Sequence, residues 1–243
     1  MSLEDLLQRA DLWRGNAAPP VAGLPSGFAE LDAQLPGGGW PVGALSEILI
    51  DRNGIGELQL LMPALARLTW ADRWVTFIAP PYIPYAPALA RAGVNLAHVL
   101  VVHSREASDA LWATEQALRA GTCGAVLAWP AQADMKRLRR LQLAAETGNT
   151  LGVLFRPASV AGESSPAAMR LKLDPAPPGL AVHILKRRGG WPTGPVILEM
   201  MHALAAHASV RPPARDLPAW PASSRCTSPC AAAASQRKQL FRR

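Results

Sequence analysis

Residues 44–65 read ALSEILIDRNGIGELQLLMPAL, and this stretch decides which fold is expected. An apolar run over Leu45 to Ile50 has the length of a buried strand, and the two glycines that follow it indicate a tight turn. A helical pattern of apolar residues begins at Leu58. Strand, glycine turn and helix in this order are the architecture of a phosphate-binding loop at the start of an α/β domain.

Strand-like and helical patterns alternate through the rest of the chain. The strand-like runs are Trp74 to Ile78, Val99 to Val102, Ala125 to Trp129 and Leu151 to Phe155, and the helical patterns are Leu58 to Trp70, Tyr85 to Ala92, Ala107 to Ala120 and Asp134 to Glu146. Because the runs are continuously apolar, they indicate a mostly parallel central sheet flanked by helices. Three later segments, at Arg170 to Leu173, Leu180 to Lys186 and Val196 to Met200, indicate a C-terminal β-hairpin extension.

Composition divides the 243 residues into three predicted parts. Residues 1–24 form an N-terminal helix and linker, 25–205 form the core, and 206–243 form a basic disordered tail. The helix can pack on its own domain or serve as a partner-binding arm. The tail carries most of the formal net charge of +7, so the remainder is near neutral and does not indicate a DNA-binding fold. We expect at most a weak DNA contact, through the tail.

The sequence predicts no cofactor, no metal site and no contact with a membrane. Glu4 and Asp5 stand where a secretory signal would have a cationic start and an apolar run, which predicts a cytoplasmic protein. Four prolines interrupt the longest uncharged stretch, Trp74 to Ala90, so it is not a membrane helix. Cys226 and Cys230 lack the further ligands of a zinc site.

The expected phosphate-binding loop lacks the residues that grip a magnesium nucleotide. Asp51, Gly54 and Gly56 follow the strand, but Glu57 occupies the Walker A lysine position and Leu58 the position of the Ser/Thr hydroxyl. A carboxylate repels a triphosphate, and leucine cannot bind Mg²⁺. The loop is therefore predicted to be degenerate.

Two further catalytic requirements fail elsewhere in the chain. Trp129 ends the strand that should carry the Walker B acid, and Pro81 lies where a water-activating glutamate is expected. Because phosphoryl transfer depends on positioning and charge stabilisation, these losses predict that the protein is not an enzyme. A residual nucleotide-binding switch through Gly54 and Gly56 stays open as an alternative.

Two basic clusters are candidate partner-binding sites. The first is Lys136, Arg137, Arg139 and Arg140, and the second is Lys186, Arg187 and Arg188 with Trp191 beside them. Such clusters can be solvated surface, or they can bind an acidic partner or a DNA backbone. Tryptophan is over-represented among binding hot spots.

The stretch GLPSGFAELDAQLPGGGWPVGALSEILI, residues 23–50, resembles the lead-in to the ATPase core of the RecA family. The matching positions are Gly27, Leu31, Asp32, Gly37 to Gly39, Pro41, Gly43, Glu47 and Ile48. The resemblance implies an α/β fold with a RecA-like P-loop core, a mostly parallel central sheet and the C-terminal β-hairpin extension. It does not imply ATP-dependent activity, because the catalytic positions depart from the family pattern.

The stretches SEILIDRNGIGELQLLMPALARL, DRWVTFIAPP, ALRAGTCGAVLAWPA and AAETGNTLGVLFRP look like the SulA family of SOS-induced cell-division inhibitors. The LWRG segment, the RecA-like lead-in and the extension past residue 157 are absent from short SulA proteins. These extra parts make the chain resemble the SulA/RecA-related ImuA family of bacterial mutagenesis cassettes, over about residues 3–200.

The ImuA resemblance implies a non-catalytic adaptor in SOS-induced translesion DNA synthesis. Its partners would be an ImuB-like polymerase-related protein, RecA and, more remotely, an error-prone DNA polymerase. The SulA resemblance implies the alternative, a cell-division inhibitor that binds FtsZ.

Overall fold

A computed structural model describes residues 23–104, 106–130, 132–187 and 194–200. The predicted N-terminal helix, nearly all of its linker and the basic tail lie outside these ranges, as do Arg188 and Trp191. Within the described ranges, no helix is both long enough and apolar enough to cross a membrane.

A mixed sheet forms the centre of the described structure, preceded by a short antiparallel ribbon of β1 (Gly23–Leu24) and β2 (Trp40–Pro41). The strands of the sheet are β3 (Ala44–Ile50), β4 (Trp74–Ile78), β5 (Val99–Val102), β6 (Cys123–Ala128), β7 (Leu151–Pro157), β8 (Met169–Ala176), β9 (Gly179–Lys186) and β10 (Val196–Leu198). They lie in the order β10-β9-β8-β3-β7-β6-β4-β5. Strand β9 runs antiparallel to both β8 and β10, whereas the other pairings are parallel.

Helices cover both faces of the sheet. They are α1 (Ala29–Asp32), α2 (Met62–Trp70), α3 (Ala86–Arg91), α4 (Ala107–Arg119) and α5 (Met135–Gly148). Successive side chains of a strand point to opposite faces, so Ile48 of β3 packs in the core cluster with α2 and α3, while Leu45 packs in the cluster with α4 and α5. Each face of the sheet thus has its own apolar core.

Local signals in the sequence set the ends of α5. The Asp134 carboxylate accepts a hydrogen bond from the backbone N–H of Arg137 at 2.7 Å and so caps the first turn. Asn149 ends the helix in the left-handed conformation, with φ of 47°. The two caps hold the basic residues of α5 on one continuous helix.

The positions of most strands and helices were predictable. The strands expected at Trp74 to Ile78 and Val99 to Val102 are confirmed without change. The helix expected from Leu58 begins only at Met62. Pro63 favours this late start because its fixed φ and missing N–H suit the first turn of a helix.

The prediction of a RecA-like P-loop core with a mostly parallel sheet is wrong. The fold is a mixed sheet with helices, since β8, β9 and β10 alternate in direction at one side of it. Residues 51–61 form turns between β3 and α2 instead of a loop that leads directly into a helix. Glu57 fills these turns with its own carboxylate, which explains why they do not take the form of a phosphate-binding loop.

Arg73 ties the start of β4 to the start of β6. Its guanidinium donates hydrogen bonds to the carbonyl oxygens of Gly121 at 2.5 Å and Cys123 at 3.1 Å. Burial lowers the pKa of Arg73, and the neighbouring Cys123 acts in the opposite direction. The contact joins two neighbouring strands at their amino ends.

A buried carboxylate joins the three central strands. Glu47 of β3 is fully buried and accepts hydrogen bonds from Arg156 of β7 at 3.0 Å and from Arg170 of β8 at 2.7 Å. The Ser165 hydroxyl donates a third bond to Glu47, at 2.9 Å. Both arginines are themselves buried, so this cluster depends on complete pairing of its charges.

Arg170 extends the cluster into the chain between β7 and β8. Its guanidinium also donates to the backbone carbonyl oxygens of Val160, Ala161 and Glu163. One side chain therefore holds both the Glu47 carboxylate and the turn that precedes β8.

We predict that Glu47→Gln lowers the free energy of unfolding by about 3–5 kcal/mol, because it removes the buried carboxylate that pairs with two buried guanidinium groups and leaves Arg156 only the exposed Glu163 at 3.5 Å. Urea denaturation followed by circular dichroism measures this change. Glu30→Gln is the matched control, since Glu30 is exposed on α1, and it should change stability by less than about 0.5 kcal/mol. Equal unfolding midpoints for the two variants would contradict the central role of Glu47.

Candidate functional site

The loop after β3 is closed by its own side chain. The backbone N–H of Gly54 donates to Oε1 of Glu57 at 2.8 Å, and that of Gly56 donates to Oε2 at 3.1 Å. Both glycines have positive φ, at 84° and 112°, a conformation that other residues rarely adopt. The Glu57 carboxylate thus occupies the amide nest in which a phosphate would lie.

The neighbouring loop residues Leu58 and Asp51 do not provide a phosphate-binding group in place of the occupied amides. Leu58 is half-buried and packs against the core, and Asp51 is exposed at the end of β3. The structure therefore brings Gly54, Gly56 and Glu57 together, but as a filled turn. An incoming phosphate would have to displace a carboxylate that already satisfies both amides.

An aromatic stack occupies the region where a nucleotide hydrolase would hold metal and water. Trp129 stacks on Phe155 with ring centroids 4.4 Å apart and lies nearly parallel to Phe77 at 6.4 Å. Trp129 and Pro81 line a cleft of about 250 Å³ at the carboxyl ends of the central strands. No cluster of three or more potential metal ligands exists in the described ranges.

The first predicted basic cluster lies on the outer surface of α5. Lys136, Arg137, Arg139 and Arg140 are all exposed there. Arg140 also reaches across to α4, where it pairs with the buried carboxylate of Glu115 at 2.6 Å. Arg119 of α4 binds the same carboxylate at 2.8 Å. Arg140 therefore links α5 to α4.

The described part of the second predicted basic cluster, Lys186 and Arg187, lies at the end of β9 and not beside the first cluster. Lys186 donates to the carbonyl oxygen of Ser165 at 2.7 Å, and Arg187 donates to that of Gln34. Helix α5 packs against β3, β7 and α4, so β9 is separated from it by β8. The two clusters are separate surfaces of the protein.

The sequence predictions missed an exposed apolar segment after β4. Tyr82, Ile83 and Tyr85 are 75%, 76% and 72% exposed. The signal was available in the PPYIPYAP stretch, because closely spaced prolines keep a chain out of helices and central strands. Trp112 of α4, 64% exposed, was missed as well. Three large side chains on one short segment form a candidate protein contact.

Comparisons with known proteins agree on one family. The model of the family described as "Cell division inhibitor SulA" matches residues 43–152, which run from the start of β3 to the start of β7. The cell division inhibitor SulA of Pectobacterium carotovorum subsp. carotovorum (strain PC1) is 31% identical over 123 residues, or 50% of this chain and 73% of that protein. The SulA of Edwardsiella piscicida is 38% identical over 102 residues, or 41% and 60%.

Among solved structures, the crystal structure of SulA from Pseudomonas aeruginosa matches with 31% identity and a TM-score of 0.40. That match covers 46% of this chain and 97% of the other. The chain beyond the family match adds most of β7 and all of β8, β9 and β10. Because nearly three quarters of a curated relative aligns at 31% identity, this chain belongs to the SulA family.

Proposed function

We propose that this protein is a cell-division inhibitor that binds FtsZ. The observation that carries the proposal is membership of the SulA family, whose curated members are named cell division inhibitors. The matched residues include all of α2 to α5 and the strands between them. The inhibitor would act stoichiometrically, by covering a surface that FtsZ needs for polymerisation.

The exposed segment after β4 is the surface that we assign to this contact. Tyr82, Ile83 and Tyr85 lie inside the family match and present apolar and aromatic area with no charge among them. Tyrosine is enriched among hot spots, and it can bury its ring while its hydroxyl keeps a hydrogen bond. The prolines around the segment limit its conformations, which reduces the entropy lost on binding.

We predict that the wild-type protein reduces the amount of FtsZ that sediments as polymer with GTP, and that Tyr82→Ala/Ile83→Ala weakens this inhibition by tenfold or more, on the order of 2 kcal/mol. Sedimentation at rising inhibitor concentration measures both effects, and filamentation of expressing cells reports the same activity. Ile197→Ser is the matched control, because Ile197 is an exposed apolar residue of β10, outside the family match. Unchanged FtsZ sedimentation with the wild-type protein would remove the proposal.

We propose further that the protein acts without hydrolysing nucleotide. The support is the filled turn at Glu57 together with the aromatic stack around Trp129. A nucleotide would meet a carboxylate where it needs a cation, and indole and phenyl rings where it needs a metal ligand.

We predict that calorimetry detects no binding of ATP or ADP at millimolar nucleotide and that ATP turnover stays at the level of buffer. Glu57→Gln removes the charge from the turn while keeping the size of the side chain, so it tests the site directly. Turnover by the wild-type protein that is lost in Glu57→Gln would show a working site and would refute this part of the proposal.

A translesion adaptor is the second candidate function. The observation in its favour is that about half of the chain lies outside the alignment with a SulA relative, and that β8 and β9, beyond the family match, are long strands with mostly buried residues. Residues beyond the family match could therefore provide a binding surface for additional partners.

We predict for the adaptor that immobilised full-length protein retains an ImuB-like protein and RecA from purified mixtures. Albumin is the negative control. Retention of neither protein would remove the adaptor, whereas retention of both with no effect on FtsZ would replace the division inhibitor.

A further inference from the structure

A groove between α4 and α5 sets an exposed indole beside cationic groups. Trp112 of α4 is 64% exposed, and Arg137 and Arg140 of α5 border the same groove, which has a volume of about 210 Å³. Lys136 and Arg139 are exposed on the same helix. An aromatic ring and two guanidinium groups, those of Arg137 and Arg140, therefore border one groove.

The positive charge of Arg137 in this groove is free to pair with a ligand. The acid that lines it, Glu115, is buried and is already neutralised by Arg119 and Arg140. The guanidinium of Arg137 makes no hydrogen bond or ion pair with any residue in the described ranges. The groove thus presents unneutralised positive charge to solvent.

The apolar part of the groove is not an open pocket. Leu111 and Leu141 form its floor and are both buried against the core beneath α4 and α5. A peptide that anchors through an apolar side chain would gain little contact with these two leucines, because they expose little area to the groove. A flat ring with cations beside it suits a different ligand, namely an unstacked base with its phosphates.

We propose that the α4–α5 groove binds single-stranded DNA. One base stacks on the Trp112 indole, and the neighbouring phosphate is held by Arg137; Lys136, one helical turn before Arg140, adds positive charge nearby. Arg140 keeps its bond to Glu115 and serves to position the groove. This activity goes beyond division inhibition, since the contact assigned to FtsZ lies on a different segment, after β4.

The test is fluorescence anisotropy of a fluorescein-labelled dT12 oligonucleotide with the full-length protein, over a series of salt concentrations. Trp112→Ala should weaken binding about tenfold, whereas Trp112→Phe should keep most of the affinity because it keeps a stacking ring. Arg137→Ser should lower the slope of log affinity against log salt by about 0.7, the value for one phosphate contact on a single strand. The basic residues near the C-terminus are unchanged in all of these variants.

Two controls separate the groove from other surfaces. Arg91→Ser removes an exposed arginine of α3, on the other face of the sheet, and should leave dT12 binding unchanged. Tyr82→Ala should impair FtsZ inhibition without changing dT12 binding, and Trp112→Ala should do the reverse. The two proposals can therefore fail independently.

Three results would overturn the groove as a DNA site. The first is absence of dT12 binding. The second is equal affinity and equal salt slope for the wild-type protein and Trp112→Ala. The third is displacement of dT12 by poly-glutamate or duplex DNA at the concentration at which unlabelled dT12 displaces it, since neither competitor offers an unstacked base.

Discussion

The buried Glu47 carboxylate is the constraint on which the centre of the fold depends. Removing three charged groups from water is costly, and the cluster is stable only because Arg156 and Arg170 approach from the two strands that flank β3. Glu47 lies inside the SulA match, whereas both arginines lie beyond it. The added C-terminal strands are therefore coupled to the family core and are not a separate module.

The same parallel strands bring the degenerate site together at their carboxyl ends. The turn after β3 and the ends of β6 and β7 meet there, as expected for this kind of sheet. Two features occupy this end of the sheet: the Glu57 carboxylate accepts hydrogen bonds from the amides of the turn, and the stacked rings of Trp129 and Phe155 form one wall of the neighbouring cleft.

The sequence predicts strands better than it predicts hydrogen bonds between a side chain and the backbone. The run Trp74 to Ile78 is continuously apolar and lies between breaks in the pattern, so its bounds follow from the residues alone. Glu57 was correctly placed in the loop, but its charge indicated only repulsion of phosphate. The Glu57 carboxylate accepts hydrogen bonds from Gly54 and Gly56 only because the backbone of the turn places their N–H groups towards it. The residue types alone do not determine this backbone conformation. The prediction of a RecA-like P-loop core with a mostly parallel sheet was wrong because the local motif reveals neither the filled turn nor the antiparallel pairing of β9 with β8 and β10.

The exposed aromatic residues give the two proposed surfaces different physical characters. The segment at Tyr82 is uncharged and fixed by prolines, which suits a contact made by burying apolar area. Binding in the groove at Trp112 depends on positive charge. Glu115 neutralises Arg119 and Arg140, whereas Arg137 is not paired with it. Arg140 cannot leave Glu115 without removing one of the two guanidinium groups that neutralise this buried carboxylate, so a bound phosphate is held more readily by Arg137, which has no such bond. Salt should therefore weaken a ligand in the groove far more than one on the segment at Tyr82.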